Sequence, residues 1–312
     1  MNTFIEDNSV FAGINTFHNL PYMADLKDMD YAILGVPFDT AAADRCGSRF
    51  APLYIRADGS FRTGFGFHTS LDVYGDAVKG TDMGEIFTYN GYTTPTLPLI
   101  ESAVAKIIET NTISILLGGG QICTLPELRA LKKVYGPMAM IHFSADRSVS
   151  DEEDYMDDNV LIHAIKEELI IPEKTIQLGV RGGYASKEQA DYAKDLGLTV
   201  ISAAKLHDMP LEETIAFIKE KTGDSPCLIS LDMGFMDPTY APGVAVPKPG
   251  GFSTYEIRTI LLSLVSSLNM KAFDLVNLVP MYDAGQITTQ AADGILYDVV
   301  CALAKRKING GI

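Results

Sequence analysis

Short apolar runs alternate with amphipathic stretches along most of the chain. The apolar runs predict buried strands over residues 31–36, 113–117, 138–143, 175–180, 199–202, 227–231 and 273–279. Apolar residues at helical spacing predict helices over residues 125–131, 162–169, 187–196, 211–221, 254–268 and 288–303. Strands that alternate with helices are typical of crossover units and a mainly parallel sheet. Because the strands are apolar almost throughout, helices are expected to cover both faces of that sheet.

No internal repeat, low-complexity segment or Pro/Gly/Ser-rich linker interrupts the 312 residues. A chain of this length buries roughly 75% of its unfolded surface, which is enough for a large core. The sequence therefore predicts a single α/β domain over residues 1–312, in which residues 1–30 form an N-terminal lead-in that wraps the body.

The chain is strongly acidic. It has 25 Lys and Arg against 40 Asp and Glu, which gives a formal net charge of −15 at pH 7. Such a chain lacks the basic face that binds nucleic acid, and an anionic membrane surface repels it. No apolar run is long enough to span a bilayer, and the N-terminus lacks the pattern of a signal peptide. We therefore expect a cytoplasmic protein with no nucleic-acid and no membrane partner.

Polar residues follow three of the predicted strands. Residues 118–121 (Gly-Gly-Gly-Gln) come after the second strand, residues 144–148 (Ser-Ala-Asp-Arg-Ser) after the third, and residues 232–238 after the sixth. In an open parallel sheet, ligands bind outside the carboxyl ends of the strands. The sequence therefore predicts a polar crevice at that edge of the sheet.

Several motifs, in order, resemble one known family. Residues 35–39 (Gly-Val-Pro-Phe-Asp) followed by residues 45–56 match its N-terminal signature, and residues 177–181 are similar to a strand in the middle of its chain. Residues 230–253 resemble its long C-terminal signature, and residues 274–283 resemble its last one. Several signatures in order are far more specific than one motif. The chain thus resembles the ureohydrolases, which include arginase and guanidinobutyrase, over nearly its whole length, and its pattern is most similar to agmatinase.

The resemblance implies a three-layer α/β/α fold with a mainly parallel sheet of about eight strands. It also implies a homo-oligomer, either a trimer or a hexamer. Members of the family bind two Mn²⁺ ions that activate a hydroxide, which attacks a guanidinium carbon and releases urea and an amine. The expected small-molecule partner is therefore a guanidino or amine compound such as agmatine.

The metal ligands that the resemblance implies are largely replaced. The corresponding positions carry Gln121, Ser144, Asp146, Ser148, Asp232 and Gly234. Of these positions, Asp232 keeps the carboxylate of the family, and Asp146 stands where the family has a His. Both are possible residual metal ligands, although Asp232 at a strand end is equally suited to cap the next turn. Two carboxylates leave two divalent ions with a large uncompensated charge, so Mn²⁺ is expected to bind weakly or not at all.

Further positions with family roles also differ. The His that lies near the substrate falls on Asp157 when counted back from Gln177, and on Asp158 when counted forward from Ser144. The Glu that anchors the guanidinium group appears as Asn277. Arg147 is predicted to lie in the crevice, where its guanidinium would pair with Asp146 or Asp232 and replace metal charge.

Two classes of function follow from these residues. The first is an agmatinase-like hydrolase that still acts on a guanidino compound through a remodelled site, such as one with a single metal ion. The second is a non-catalytic relative that binds a small molecule or regulates an active paralogue. The replaced ligands favour lost or strongly reduced activity, in other words a pseudoenzyme by descent. Metal content together with urea release from agmatine separates the two classes.

Overall fold

A parallel sheet of eight strands runs through the part of the chain that the structure describes. The computed structural model describes residues 13–42, 45–59, 65–66, 70–73, 77–147, 153–182 and 195–311. The strands are β1 (Tyr31–Gly35), β2 (Gly80–Glu85), β3 (Ile113–Leu117), β4 (Ala139–Phe143), β5 (Ile176–Val180), β6 (Thr199–Ser202), β7 (Cys227–Asp232) and β8 (Met270–Val276). Their order across the sheet is β2-β1-β3-β8-β7-β4-β5-β6, and each neighbouring pair is parallel. A short antiparallel pair, Phe65–Gly66 with Leu71–Asp72, lies outside this sheet.

Helices cover both faces of the sheet. In the described residues they are α1 (Ala51–Asp58), α2 (Thr93–Ile108), α3 (Thr124–Tyr135), α4 (Val160–Lys166), α5 (Ala203–His207), α6 (Leu211–Thr222), α7 (Thr254–Val265) and α8 (Ile287–Ile308). Ile33 and Phe273 belong to the core on the side of α1, α6, α7 and α8, whereas Leu34 and Leu116 belong to the core on the side of α2, α3 and α4. This arrangement confirms the predicted three-layer α/β/α class. None of the helices described is long and apolar enough to cross a membrane.

Some predicted elements differ from the observed ones. Strand β2 was not predicted, because its sequence, Gly-Thr-Asp-Met-Gly-Glu, is polar. Its Asp82 is nevertheless fully buried, since the guanidinium of Arg56 in α1 pairs with it. Strand β8 ends at Val276 rather than at residue 279, because Asn277 takes a left-handed conformation with φ of 63°. Most of the helix predicted over residues 187–196 and the start of the predicted lead-in lie outside the described residues.

The carboxyl ends of β1, β3 and β8 are joined by backbone hydrogen bonds. Gly120 N–H donates to Phe38 O at 2.8 Å, and Asn277 N–H donates to Gly119 O at 2.8 Å. A side chain at residue 119 would collide with this joint, since a Cβ there would lie 1.7 Å from Phe38 O. Glycine therefore permits the close approach of three strand ends, which places Gln121 and Asn277 on the same edge of the sheet.

Candidate ligand-binding site

A cavity of about 130 Å³ opens at the carboxyl ends of the strands. Its lining residues are Ala42, Gln121, Ser144, Ala145, Asp146, Asp157, Asp158, Asp232, Ala245, Val246 and Asn277. Four of these residues are aspartates, and none of the described lining residues is basic. We call this space the acidic cavity.

The acidic cavity collects residues that lie far apart in the sequence. Gln121 follows β3, Asp146 follows β4, Asp232 ends β7 and Asn277 follows β8, so these side chains converge where parallel strands end. Most of the positions with metal and substrate roles in the resemblance thus line one space. Gly234 has no side chain, and its backbone N–H donates a hydrogen bond to the Asp232 carboxylate. Ser148 lies outside the described residues.

Protein donors surround the Asp232 carboxylate. Ser144 Oγ donates to Oδ2 at 2.8 Å, Gly234 N–H donates to Oδ1 at 2.7 Å, and the side chain of Asn277 forms a third hydrogen bond. Burial raises the pKa of Asp232, and these donors partly oppose that rise. Asp232 therefore caps the turn that follows its strand, which is one of the roles that its position suggested beside metal ligation and pairing with a basic side chain.

The Asp146 carboxylate pairs with an ammonium group from a distant loop. Lys248 Nζ lies 2.8 Å from Asp146 Oδ2, and the backbone N–H of Arg147 donates to Oδ1 at 3.0 Å. Burial alone would raise the pKa of Asp146, but the hydrogen bond and the charge of Lys248 bring it below its ordinary value. Arg181 fixes the loop, because its Nε and Nη2 donate to Lys248 O at 2.9 Å and 2.7 Å. The chain thus supplies its own cation at Asp146.

Arg147 adjoins Asp146 in the chain, and its positive charge, together with that of Lys248, lowers the pKa of Asp146. It is not among the described residues that line the acidic cavity, so its place in the crevice stays a prediction. Its carbonyl oxygen accepts a hydrogen bond from Gln177 Nε2 at 2.9 Å, which holds the loop after β4 against β5. The ammonium of Lys248 makes the ion pair with Asp146, because its loop folds over the strand ends.

Asp157 is half-buried beside the turn that contains Gln121. Its Oδ1 accepts a hydrogen bond from Ile122 N–H at 2.8 Å. Burial raises the pKa of Asp157 to about 7; the Ile122 hydrogen bond opposes that rise, and the carboxylates of Asp232, Asp39 and Asp158 add to it. Asp157 therefore changes its charge near neutral pH.

Two amide oxygens at the acidic cavity lack hydrogen-bond donors. Gln121 Nε2 lies 2.9 Å from Thr124 Oγ1 and 3.1 Å from Ser230 Oγ, so the nitrogen is satisfied. Gln121 Oε1 and Asn277 Oδ1 are buried, and within the described part of the chain no donor reaches either oxygen. An unsatisfied buried acceptor costs about 1–3 kcal/mol, so these oxygens indicate a ligand or water that donates hydrogen bonds.

The carboxyl groups of Glu127 and Asp274 form a buried pair beneath the Gln121 amide. Thr124 Oγ1 donates to Asp274 Oδ2 at 2.8 Å, and Ser114 Oγ donates to Glu127 Oε1 at 3.1 Å. Glu127 and Asp274 are fully buried and hydrogen-bonded to each other. Two carboxyl groups at hydrogen-bonding distance share one proton, because two buried like charges repel each other. Burial raises the pKa of Glu127 well above its ordinary range, so Glu127 carries that proton.

Neither Lys248 nor Glu127 was predicted from the sequence to belong to the site. Lys248 lies between Pro247 and Pro249 in the segment that resembles the long C-terminal signature of the family, and no spacing links it to Asp146. Glu127 had a usable signal, because it stands among the apolar residues of the predicted helix over residues 125–131. A charged residue within such a stretch is seldom fully buried unless it has a partner.

The side chains at the strand ends are poor ligands for a pair of Mn²⁺ ions. Divalent ions prefer ionised oxygens and imidazoles, and a pair of them needs several carboxylates to balance its charge. Here Ser144 donates its hydrogen to Asp232, Gln121 turns its amide nitrogen towards Thr124, and Lys248 holds Asp146. Among the described residues, no three His, Cys, Asp or Glu side chains are grouped as ligands for a metal ion.

Comparison with known proteins identifies the family. The Arginase family model matches residues 29–302. Proclavaminate amidinohydrolase from Streptomyces clavuligerus is 30% identical to this chain over 288 residues, which are 91% of each chain. Agmatinase from Chromobacterium violaceum is 31% identical over 308 residues, which cover 97% of this chain and 92% of that protein. The chain therefore belongs to the arginase family, as its motifs indicated.

Solved structures agree with this assignment. The structure of the S. clavuligerus proclavaminate amidinohydrolase aligns with a TM-score of 0.89 at 28% identity, covering 96% of this chain and all of that one. Trypanosoma cruzi formiminoglutamase, solved with Mn²⁺, aligns with a TM-score of 0.82 over 90% of this chain and 96% of that one. At 18% identity the second structure supports the fold alone.

Proposed function

We propose that this protein binds a cationic guanidino or amino compound in the acidic cavity, and that the urea-forming activity of agmatinase-like relatives is lost or strongly reduced in it. The observation that carries this proposal is the chemistry of the lining, which offers hydrogen-bond acceptors and no basic side chain among its described residues. A guanidinium group has five N–H donors and no acceptor, so it complements such a lining. The names of two relatives, an amidinohydrolase and an agmatinase, point to the same class of ligand.

The balance of charge supports the loss of metal-dependent activity. The ammonium of Lys248 neutralises Asp146, and uncharged donors satisfy Asp232. A hydrolase with one ion on Asp146 and Asp232 is the second candidate, but a divalent ion beside that ammonium would experience strong repulsion. These contacts favour a non-catalytic binding or regulatory protein over a hydrolase with a remodelled single-metal site. Cytoplasmic location and a trimeric or hexameric assembly remain predictions from the sequence.

Removal of the Lys248 ammonium is expected to strengthen the binding of agmatine. In Lys248→Met the Asp146 carboxylate loses its internal partner, so the acidic cavity gains one uncompensated negative charge. We expect an affinity roughly tenfold higher than that of the wild type, measured by isothermal titration calorimetry at low ionic strength.

The matched control is Lys205→Met, which removes the same charge from an exposed position on α5. This variant is expected to bind agmatine nearly as the wild type does, because an exposed ammonium acts through water, whose high dielectric constant weakens its interaction with the ligand. Failure of the wild type and of Lys248→Met to bind agmatine or any other guanidino or amino compound would contradict the proposed function.

Agmatine affinity is expected to rise with pH because Asp157 ionises near neutrality. The pKa of Asp157 is about 7, so this carboxyl is mostly protonated below that pH and mostly charged above it. A cation prefers the charged form, and binding therefore lowers the pKa of Asp157 and releases a proton. We expect affinity to increase by up to about tenfold between about pH 6 and pH 8.

Calorimetry in buffers of different ionisation enthalpy measures the proton released on binding. Asp157→Asn has no carboxyl proton to release, so its affinity is expected to stay constant over the same pH range. An equally steep pH profile in this variant would assign the titration to another group.

A further inference from the structure

The side chains of Thr124 and Ser230 carry two buried hydroxyl groups below the acidic cavity, and each already donates its hydrogen to the Asp274 carboxylate. A hydroxyl has one hydrogen to donate. Thr124 donates its hydrogen to Asp274 Oδ2 across 2.8 Å, and the Ser230 side chain also hydrogen-bonds to the Asp274 carboxylate. Towards every other neighbour, both hydroxyl oxygens therefore act as acceptors.

This commitment decides which end of the Gln121 amide faces the hydroxyls. Gln121 Nε2 has two hydrogens, and its distances of 2.9 Å to Thr124 Oγ1 and 3.1 Å to Ser230 Oγ use both. In the reverse orientation, the amide oxygen would lie against two oxygens with no hydrogen between them. The oxygen Oε1 is consequently turned away from the hydroxyls, and no donor in the described residues reaches it.

The Thr124 and Ser230 hydroxyls point their hydrogens at Asp274 only while the Asp274 carboxyl group is ionised and accepts hydrogen bonds. Asp274 is fully buried, and burial favours the protonated form of a carboxyl group. Glu127 offsets this tendency, because it is buried beside Asp274 and its proton forms the hydrogen bond between the two groups. Ser114 holds the other oxygen of Glu127, with Oγ 3.1 Å from Oε1. Asp274 thereby accepts hydrogen bonds from Glu127, Thr124 and Ser230.

We propose that Asp274, together with the protonated Glu127, holds Gln121 Oε1 towards the acidic cavity and so makes Gln121 an acceptor that selects ligands with N–H donors. Asp274 and Glu127 are positioning residues, since they act through Gln121. The inference rests on the proposed function and narrows it: the favoured ligand places an ammonium or guanidinium N–H against Gln121, and neutral compounds that only accept hydrogen bonds are rejected.

Agmatine titrations of four variants test the coupling. Gln121→Leu removes the acceptor, and Asp274→Asn frees the hydroxyls to turn, so each is expected to bind agmatine about tenfold to a hundredfold more weakly than the wild type. The double variant Gln121→Leu/Asp274→Asn is expected to bind no more weakly than Gln121→Leu alone, because Asp274 acts through Gln121. Glu127→Gln keeps an N–H donor for Asp274 and is expected to retain the wild-type affinity to within about twofold.

The proposal would be overturned if the losses of agmatine affinity in the two single variants added up in the double variant, or if Asp274→Asn bound agmatine with wild-type affinity. Thermal unfolding of each variant shows whether it is folded, and Thr124→Val replaces Asp274→Asn if the latter does not fold. Because Val cannot accept from Gln121, Thr124→Val is also expected to weaken binding and to be non-additive with Gln121→Leu.

Neutron diffraction from a deuterium-exchanged crystal of the wild type gives an answer that does not depend on agmatine. We expect deuterium on Gln121 Nε2 facing Thr124 and Ser230, and deuterium of both hydroxyls facing Asp274. Hydroxyl deuterium that faces Gln121 would defeat the inference even if agmatine binds. Failure of the wild type to bind agmatine, combined with the expected deuterium positions, would defeat the proposed function and leave the orientation of Gln121 established.

Discussion

Dialysis against excess Mn²⁺ is expected to leave this protein without a bound pair of ions, and urea release from agmatine is expected to be about 10³-fold or more below that of the C. violaceum agmatinase. A metal-bound hydroxide forms near neutral pH only when the ions are held by ionised oxygens and imidazoles. Gln121, Ser144 and Gly234 supply no charge at the positions that the resemblance assigns to ligands. Asp146, which does carry a charge, is already paired with Lys248.

Metal per chain is measured by elemental analysis after removal of free ions, and urea by a colorimetric assay on the same sample. Retention of nearly two ions per chain together with rapid turnover of agmatine would contradict the expectation.

A restored variant provides the positive control. It combines the substitutions Gln121→His, Ser144→Asp, Asp146→His, Ser148→Asp, Gly234→Asp and Lys248→Met. This variant regains ionised oxygens and imidazoles and loses the competing ammonium, so it is expected to retain more Mn²⁺ than the wild type. A restored variant that keeps Lys248 is expected to retain less than the complete one, because the ammonium repels a divalent ion.

Loss of the Arg56 guanidinium is expected to destabilise the fold by about 3–5 kcal/mol, because it leaves Asp82 buried without its cation. Arg56 Nε and Nη2 donate to the two oxygens of Asp82 at 2.7 Å and 2.8 Å, and Arg56 also contacts Glu85. Asp82 accepts a further hydrogen bond from Phe17 N–H at 2.7 Å. The pair therefore joins α1, β2 and the segment that precedes β1.

Urea denaturation of Arg56→Met at a fixed protein concentration measures this loss. The matched control is Lys133→Met, because Lys133 is largely exposed in its pair with Glu101 and such a pair contributes only about 0–1 kcal/mol. A loss in Arg56→Met no larger than that of the control would show that Asp82 finds other partners. Arg56→Lys keeps the charge but loses the bidentate contact with Asp82, so its free energy of unfolding is expected to lie between those of the wild type and Arg56→Met.

Much of the fold was predictable from local patterns. The apolar run over residues 113–117 matches β3, because a strand buried on both faces needs mostly apolar side chains. Strand β2 was not predictable, because its burial depends on a partner in another element: Asp82 lies in a polar strand that Arg56 neutralises.

The position of the candidate site followed from the order of strands and loops. Because parallel strands end at one edge of a sheet, polar residues after β3, β4 and β7 had to lie near that edge. The replacement of metal-ligand residues was also visible in the sequence, since Gln121, Ser144 and Gly234 stand at those positions.

What the sequence by itself determined is the alternation of strands and helices, the edge of the sheet at which a polar crevice lies, and the scarcity of metal-ligating residues at that edge. Only the tertiary structure decided which charges and hydrogen bonds meet there. Lys248 reaches Asp146 from 102 positions along the chain, and Glu127 meets Asp274 beneath Gln121. Such pairs leave no periodic signal, because periodicity reports which face of one element is buried, whereas an ion pair or a shared proton depends on how separate elements pack.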